Sequence, residues 1–201
     1  MNKETMERLQ HASTQMNEED LSASVAFLAD FHGKVAAWLP GESVDFVLDF
    51  VTAPGADQIA PISGDALETK GNFEFFMVKK QTRKKLGELL ALWKAPRTKE
   101  TLNQIDAIGL KKWLARNEFR SEDKPWDYLN RLHILLFLDQ MTTVIDDHQL
   151  TTLYEQLVRK TPVPTSFVRR QGEVRRVVNQ FADKTEFTQV DLVRASLVRY
   201  L

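Results

Sequence analysis

Pro125-Trp-Asp-Tyr-Leu-Asn-Arg-Leu-His-Ile-Leu-Leu-Phe-Leu138 is the stretch on which the fold class turns. Proline at a first helical position gives up no hydrogen bond and presets the backbone for the turn that follows. Trp126, Leu129, Leu132 and Leu136 then share one helical face at spacings of three and four. Positions 134–138 are apolar on every side. A helix without a polar face has nothing to offer water, so it belongs at the centre of a bundle. The pattern predicts a helix from Pro125 to about Ile145.

Working outward toward the C-terminus, a helix is expected near 148–159, broken by Pro162 and Pro164. Another covers about 166–182, with Phe167, Val168, Val174, Val177, Val178 and Phe181 inside. The last runs from Thr188, where Thr188-Gln-Val-Asp191 has the form of a cap, to Leu201. Toward the N-terminus, Leu86, Leu89, Leu90 and Trp93 make a stripe that ends before Pro96. Thr101-Leu-Asn-Gln104 has the capping-box form ahead of Ile105, Ile108, Leu110 and Leu114. Asn17-Glu-Glu-Asp20 reads as an N-cap with acids in the first turn, and Leu21, Val25, Leu28, Phe31, Val35 and Leu39 carry that helix to about Trp38, where Pro40-Gly41 stops it. Residues 3–16 are polar and could form a short or frayed helix.

One region admits two readings. In Ser43–Thr52, Val44, Phe46, Leu48 and Phe50 alternate with other residues, a strand pattern that Phe73–Val78 could join as a second strand, unless it opens the helix that follows. Val44, Val47, Leu48 and Val51 also fit one helical face. Between the two, Pro54-Gly55, Pro61, Gly64 and Gly71 make 53–72 a loop and the best boundary. The expected fold is therefore mainly α, a bundle of about seven or eight helices with a short two-stranded β-ribbon in the N-terminal half. Its organisation is an acidic segment, 1–69, and a helical bundle, 70–201, with a basic first half.

The net charge of −1 conceals an uneven distribution. Residues 1–69 hold 3 Lys/Arg against 12 Asp/Glu, 70–120 hold 13 against 5, and 121–201 hold 11 of each. Such segregation points to a charged interaction surface or to neutralisation within the fold. No cysteine occurs in the 201 residues, which excludes disulfides, thiolate catalysis and Cys-based metal sites. The first residues lack the apolar core of a signal peptide, and the most apolar run, His133–Leu138, is far too short to cross a bilayer. A cytoplasmic protein without a membrane partner is expected.

Two basic sets stand out. Lys79, Lys80, Arg83, Lys84 and Lys85 fall within seven residues, with Arg97 and Lys99 close behind, and Arg169, Arg170, Arg175 and Arg176 lie on the penultimate helix opposite its apolar face. Cations aligned this way can track a phosphate backbone. The competing reading is a solvated face, or a partner for the chain's own acids. With the turn that follows, the arginine helix also resembles a helix-turn-helix, although that turn lacks glycine. An acidic face of Glu18, Glu19, Asp20, Asp30, Asp45 and Asp49 offers the alternative of a basic protein partner.

Catalytic signals are sparse. Asp57 followed by Glu68-Thr-Lys70 has the residue types of a Mg²⁺ nuclease, but its glycine-rich neighbours read as loop, not strand. His11, His32, His133 and His148 form no metal-binding pair, and Asp146-Asp147-His148 reads as a helix cap. There is no phosphate-cradling glycine motif and no nucleophile elbow. The expectation is a non-catalytic binding protein without metal or cofactor. Its partner is nucleic acid, held through the basic helices, or alternatively a protein that the acidic face engages.

Overall fold

In the computed structural model of the chain, which describes residues 2–16, 21–119 and 123–201, every regular element is helical. The helices are α1 (Lys3–Gln15), α2 (Ser22–Ala37), α3 (Phe46–Val51), α4 (Pro54–Ile59), α5 (Lys70–Met77), α6 (Lys80–Lys94), α7 (Thr101–Ile108), α8 (Leu110–Ala115), α9 (Trp126–Leu136), α10 (Asp147–Leu157), α11 (Phe167–Thr185) and α12 (Asp191–Ser196). Short 3-10 helices cover Gly64–Thr69 and Leu197–Tyr200. They are more numerous and shorter than the seven or eight expected.

The apolar stretch does form the centre. Every residue of α9 from Tyr128 to Leu136 is buried, and α3, α4 and α5 pack against it. The helix stops at Leu136, however, nine residues before the expected end. Thr142-Thr143-Val144-Ile145, a β-branched run of low helix propensity, begins six residues further on and opposes helix only over the last part of the expected span. Residues 137, 138 and 141–145 are nonetheless buried without regular structure. Buried backbone must find partners, and side chains supply them. Gln171 Oε1 accepts from both Thr142 N (2.8 Å) and Thr142 Oγ1 (2.6 Å), while Gln171 Nε2 donates to Val144 O. Asn130 Nδ2 donates to Ile145 O at 2.8 Å, and Thr143 N to Ala195 O at 3.1 Å.

The β-ribbon does not occur. Residues 46–51 are α3 and 70–77 are α5, and no strand is present among the described residues. Burial shows why the helical reading wins. Val44, Val47 and Val51 are all buried, a helical spacing. In α5, Phe73, Phe76 and Met77 are buried while Phe75 is 53% exposed, whereas a strand would have put Phe73 and Phe75 on the same face. The expected loop 53–72 is also largely helical. Pro54, read as a breaker, stands at the first position of α4, and Gly55 lies against the Phe27 ring where a Cβ would overlap it.

Arg131 of α9 fixes α3 and α4. Its Nη1 donates to Val51 O (3.0 Å) at the end of α3, its Nε to Ala60 O (2.8 Å) at the end of α4, and its Nη2 to Asp57. One buried cation thus meets the negative ends of two helices. Caps elsewhere follow the sequence only in part: Asn17 lies outside the described residues, and the cap expected at Thr188 does not form, since the last α-helix starts at Asp191 without a side-chain cap. Asp146 accepts from Gln149 N, and Ser166 from Arg169 N. The capping box expected at Thr101–Gln104 does not form: Glu100, which precedes α7, makes no side-chain cap, and the threonines bond within the turn before the helix, Thr101 Oγ1 accepting from Thr98 N and Thr98 Oγ1 from Glu100 N.

Both charge segments feed one core. α1 packs on α11 and on the closing 3-10 turn, α2 on α4 and α6. Gly172 lets α11 approach α7 closely, since a Cβ there would run into Leu102. No helix among the described residues is long and apolar enough to cross a membrane.

Candidate nucleic-acid interface

The two basic sets part along residue type. Each arginine of the expected interface meets a carboxylate of the chain itself. Arg83 pairs with Asp45 at 2.7 Å, Arg97 with Asp139 at 2.9 Å, and Arg169 with Asp106 at 3.8 Å. Arg170 pairs with Asp147, Arg175 with Asp191 at 2.6 Å, and Arg176 with Glu173 at 2.9 Å. Among the described residues none of Lys79, Lys80, Lys84, Lys85 and Lys99 lies within ion-pair distance of a carboxylate. The guanidinium presents a flat fork of donors that a protein can engage from several sides, whereas an ammonium is a more strongly hydrated point charge.

Burial takes two arginines out of any surface. Arg170 is 5% and Arg175 is 1% exposed. Arg175 donates to Asn179 Oδ1, to Asp191 O and Oδ1, and to Met141 O, so it joins α11, α12 and the irregular segment after α9. Burial lowers its pKa to about 10, opposed by Asp191, which leaves it a cation at neutral pH. The helix-turn-helix resemblance does not hold. Residues Leu192 to Val198 are buried, and Arg194 folds back on the turn, donating to Thr188 O and pairing with Asp183. A buried α12 has no free face for a groove.

The lysines are set by α6 and its neighbours. Lys80 and Lys84, one turn apart, are exposed on one side of α6. Lys79 and Lys85 reach toward α8: Lys79 Nζ donates to Asn117 Oδ1, and Lys85 Nζ to Ile108 O just before that helix. Trp113 of α8 donates from Nε1 to Thr82 Oγ1 at 2.9 Å, which seats α8 on α6. α8 adds exposed Lys112 and Arg116, again one turn apart, which the reading of the sequence did not single out although the pair is visible as Lys112-x-x-x-Arg116. Neither meets a carboxylate among the described residues.

An aromatic pair borders this surface. Phe75 is half exposed, and its ring meets Phe119 edge-on at 6.4 Å. Lys79 Nζ lies 4.4 Å from the Phe75 centroid and 5.8 Å from that of Phe119.

No family model, curated protein or solved structure matches this chain.

The acidic face is only partly visible. Glu18, Glu19 and Asp20 lie outside the described residues. Asp30 on α2 and Asp49 on α3 are exposed, while Asp45 is engaged by Arg83. The nuclease residues serve other ends. Asp57 accepts from Arg131, Lys70 lies 4.0 Å from Glu74, and Glu68-Thr-Lys70 spans the passage from the 3-10 helix into α5, not a strand.

Proposed function

We propose that the protein binds nucleic acid, non-catalytically, through the lysine surface of α6 together with Lys112 and Arg116 of α8. The observation that carries the reading is the split between residue types in the two basic sets: Arg83, Arg97, Arg169, Arg170, Arg175 and Arg176 each have an internal carboxylate, and among the described residues none of Lys79, Lys80, Lys84, Lys85 and Lys99 has one. The exposed ammonium groups of Lys80, Lys84 and Lys112 on adjoining helices attract phosphates, and their contacts release counterions. The half-exposed Phe75 beside Lys79 adds a surface on which an unpaired base can stack. Single strands are accordingly the favoured substrate class.

Fluorescence anisotropy with labelled single-stranded and duplex oligonucleotides tests the reading. Binding should weaken steeply with salt, and Lys80→Glu with Lys84→Glu should remove two phosphate contacts, lowering the slope of log K on log[salt] by roughly 1.4 on a single strand. Binding that ignores both salt and the double variant would overturn it.

The second reading is a basic protein partner on α2 and α3, and it rests on Asp30 and Asp49 staying exposed while the rings of Phe31 and Phe50 pack their helices together. A complex captured by the wild-type chain and lost in Asp30→Lys/Asp49→Lys, with no oligonucleotide affinity, would favour it.

A further inference from the structure

A cleft of about 770 Å³ opens between α7, α8, the Pro162–Thr165 strap and the first turn of α11. Its size is that of a small-molecule site. His133 of α9 forms part of its wall. The imidazole is 96% buried (4% exposed), and its Nδ1 has no hydrogen-bond partner. Burial, reinforced by the nearby Lys111 charge, lowers its pKa to about 4, so the ring is neutral at physiological pH. A neutral imidazole has one donor and one acceptor nitrogen, and here the protein leaves hydrogen-bonding capacity unused.

The charges around the ring are unbalanced. Lys111, Lys112 and Arg169 line the cleft against a single carboxylate, Asp106. Asp106 is already engaged, accepting from Ser166 Oγ at 2.6 Å and lying 3.8 Å from Arg169 Nε. Lys111 is held loosely: Asp147 is 3.9 Å away and is engaged more closely by Arg170. The Lys111 ammonium otherwise rests 5.6 Å from the Trp126 ring and 5.8 Å from that of Phe167. Leu110, Val163, Phe167 and Val168 supply apolar wall.

We propose that this cleft binds a small organic anion, its charged group at Lys111 and its apolar body against Phe167 and Val163, with His133 as a neutral hydrogen-bonding partner. A metal ion is disfavoured by three cations around one occupied carboxylate. An inorganic anion alone would leave the apolar wall unused, and a neutral apolar molecule would leave Lys111 with only its 3.9 Å contact to Asp147.

The full-length protein with ¹³C-labelled histidine Cε1 provides the test, the His133 signal being assigned with His133→Gln. The probes are 3-phenylpropionate, phenyl phosphate, 3-phenylpropan-1-ol and inorganic phosphate. A saturable shift of the His133 signal is expected with at least one aromatic anion at about 1 mM, as suits ligands of this size. The anion should bind roughly ten-fold tighter than the alcohol, and Lys111→Met should abolish that preference. Lys80→Glu/Lys84→Glu should leave the response intact, which separates this site from the nucleic-acid surface. A response to phenyl phosphate alone, or to 3-phenylpropionate alone, identifies the headgroup within the proposed class. Overturning results are a His133 signal unmoved by both aromatic anions, equal affinity for the alcohol, inorganic phosphate binding as tightly as the aromatic anions, or an unchanged preference in Lys111→Met.

Discussion

Gln171 shows how much of this fold hangs on single side chains. Its amide accepts from the Thr142 backbone and hydroxyl and donates to Val144 O, doing for a buried irregular segment what a neighbouring strand would otherwise do. Gln171→Leu keeps the volume and removes those partners, and should cost roughly 2–4 kcal/mol in urea denaturation, since buried groups left unmatched lose about 1–3 kcal/mol each. His133 makes a second residue-scale prediction. The folded ring stays neutral down to about pH 4, whereas the unfolded ring takes up a proton near its ordinary value of 6.5. The unfolded chain therefore binds more protons in that window, and stability falls as pH drops from 6.5 toward 4. The whole effect is about 3 kcal/mol. Denaturation curves of His133→Leu measured across the same pH range should lack that component, and an identical pH slope in both proteins would refute the assignment.

Among elements, α3 and α4 depend on one arginine reaching across from α9. Each is a six-residue helix, too short to hold itself together in water. Arg131 meets the C-terminal carbonyl ends of both and Asp57 as well. Arg131→Met should destabilise the protein by about 3–5 kcal/mol, because a buried polar cluster loses its centre. Arg131→Lys should rescue little of this, a point charge being unable to serve three acceptors in a plane. Loss of Tm in both variants, followed by circular dichroism, checks the claim. The junction of α5 and α6 carries the functional counterpart. If Phe75 stacks a base, Phe75→Ala should weaken single-strand binding by about 1–3 kcal/mol and leave duplex binding nearly unchanged. These elements were also the hardest to read in the sequence. Val44 to Val51 satisfies both the period of a strand and that of a helix, and only the burial of Val44 together with Val47 and Val51 selects between them. The end of α9 was not legible either: the apolar run 134–138 points onward to Ile145, whereas the helix stops at Leu136, six residues before the β-branched run Thr142–Ile145 begins.

For the molecule as a whole, the acidic and basic segments meet in a common core. Heating should therefore give one transition, with coincident tryptophan fluorescence and helical signal. Two separated transitions would mean that residues 1–69 fold as a unit of their own. The sequence by itself determined that the chain is helical, that the stretch from Tyr128 to Leu136 is its centre, and that Asp146 caps a helix. Those features depend on periodicity and on contacts within a few residues, which a linear pattern records directly. It also located the cations, but not their fate. Arg83 finds Asp45, Arg97 finds Asp139 and Arg175 finds Asp191 across 38, 42 and 16 residues of chain. Only the tertiary structure decided which charges the protein keeps for itself and which it leaves to solvent, because an ion pair depends on distance in space, and sequence separation carries no measure of that.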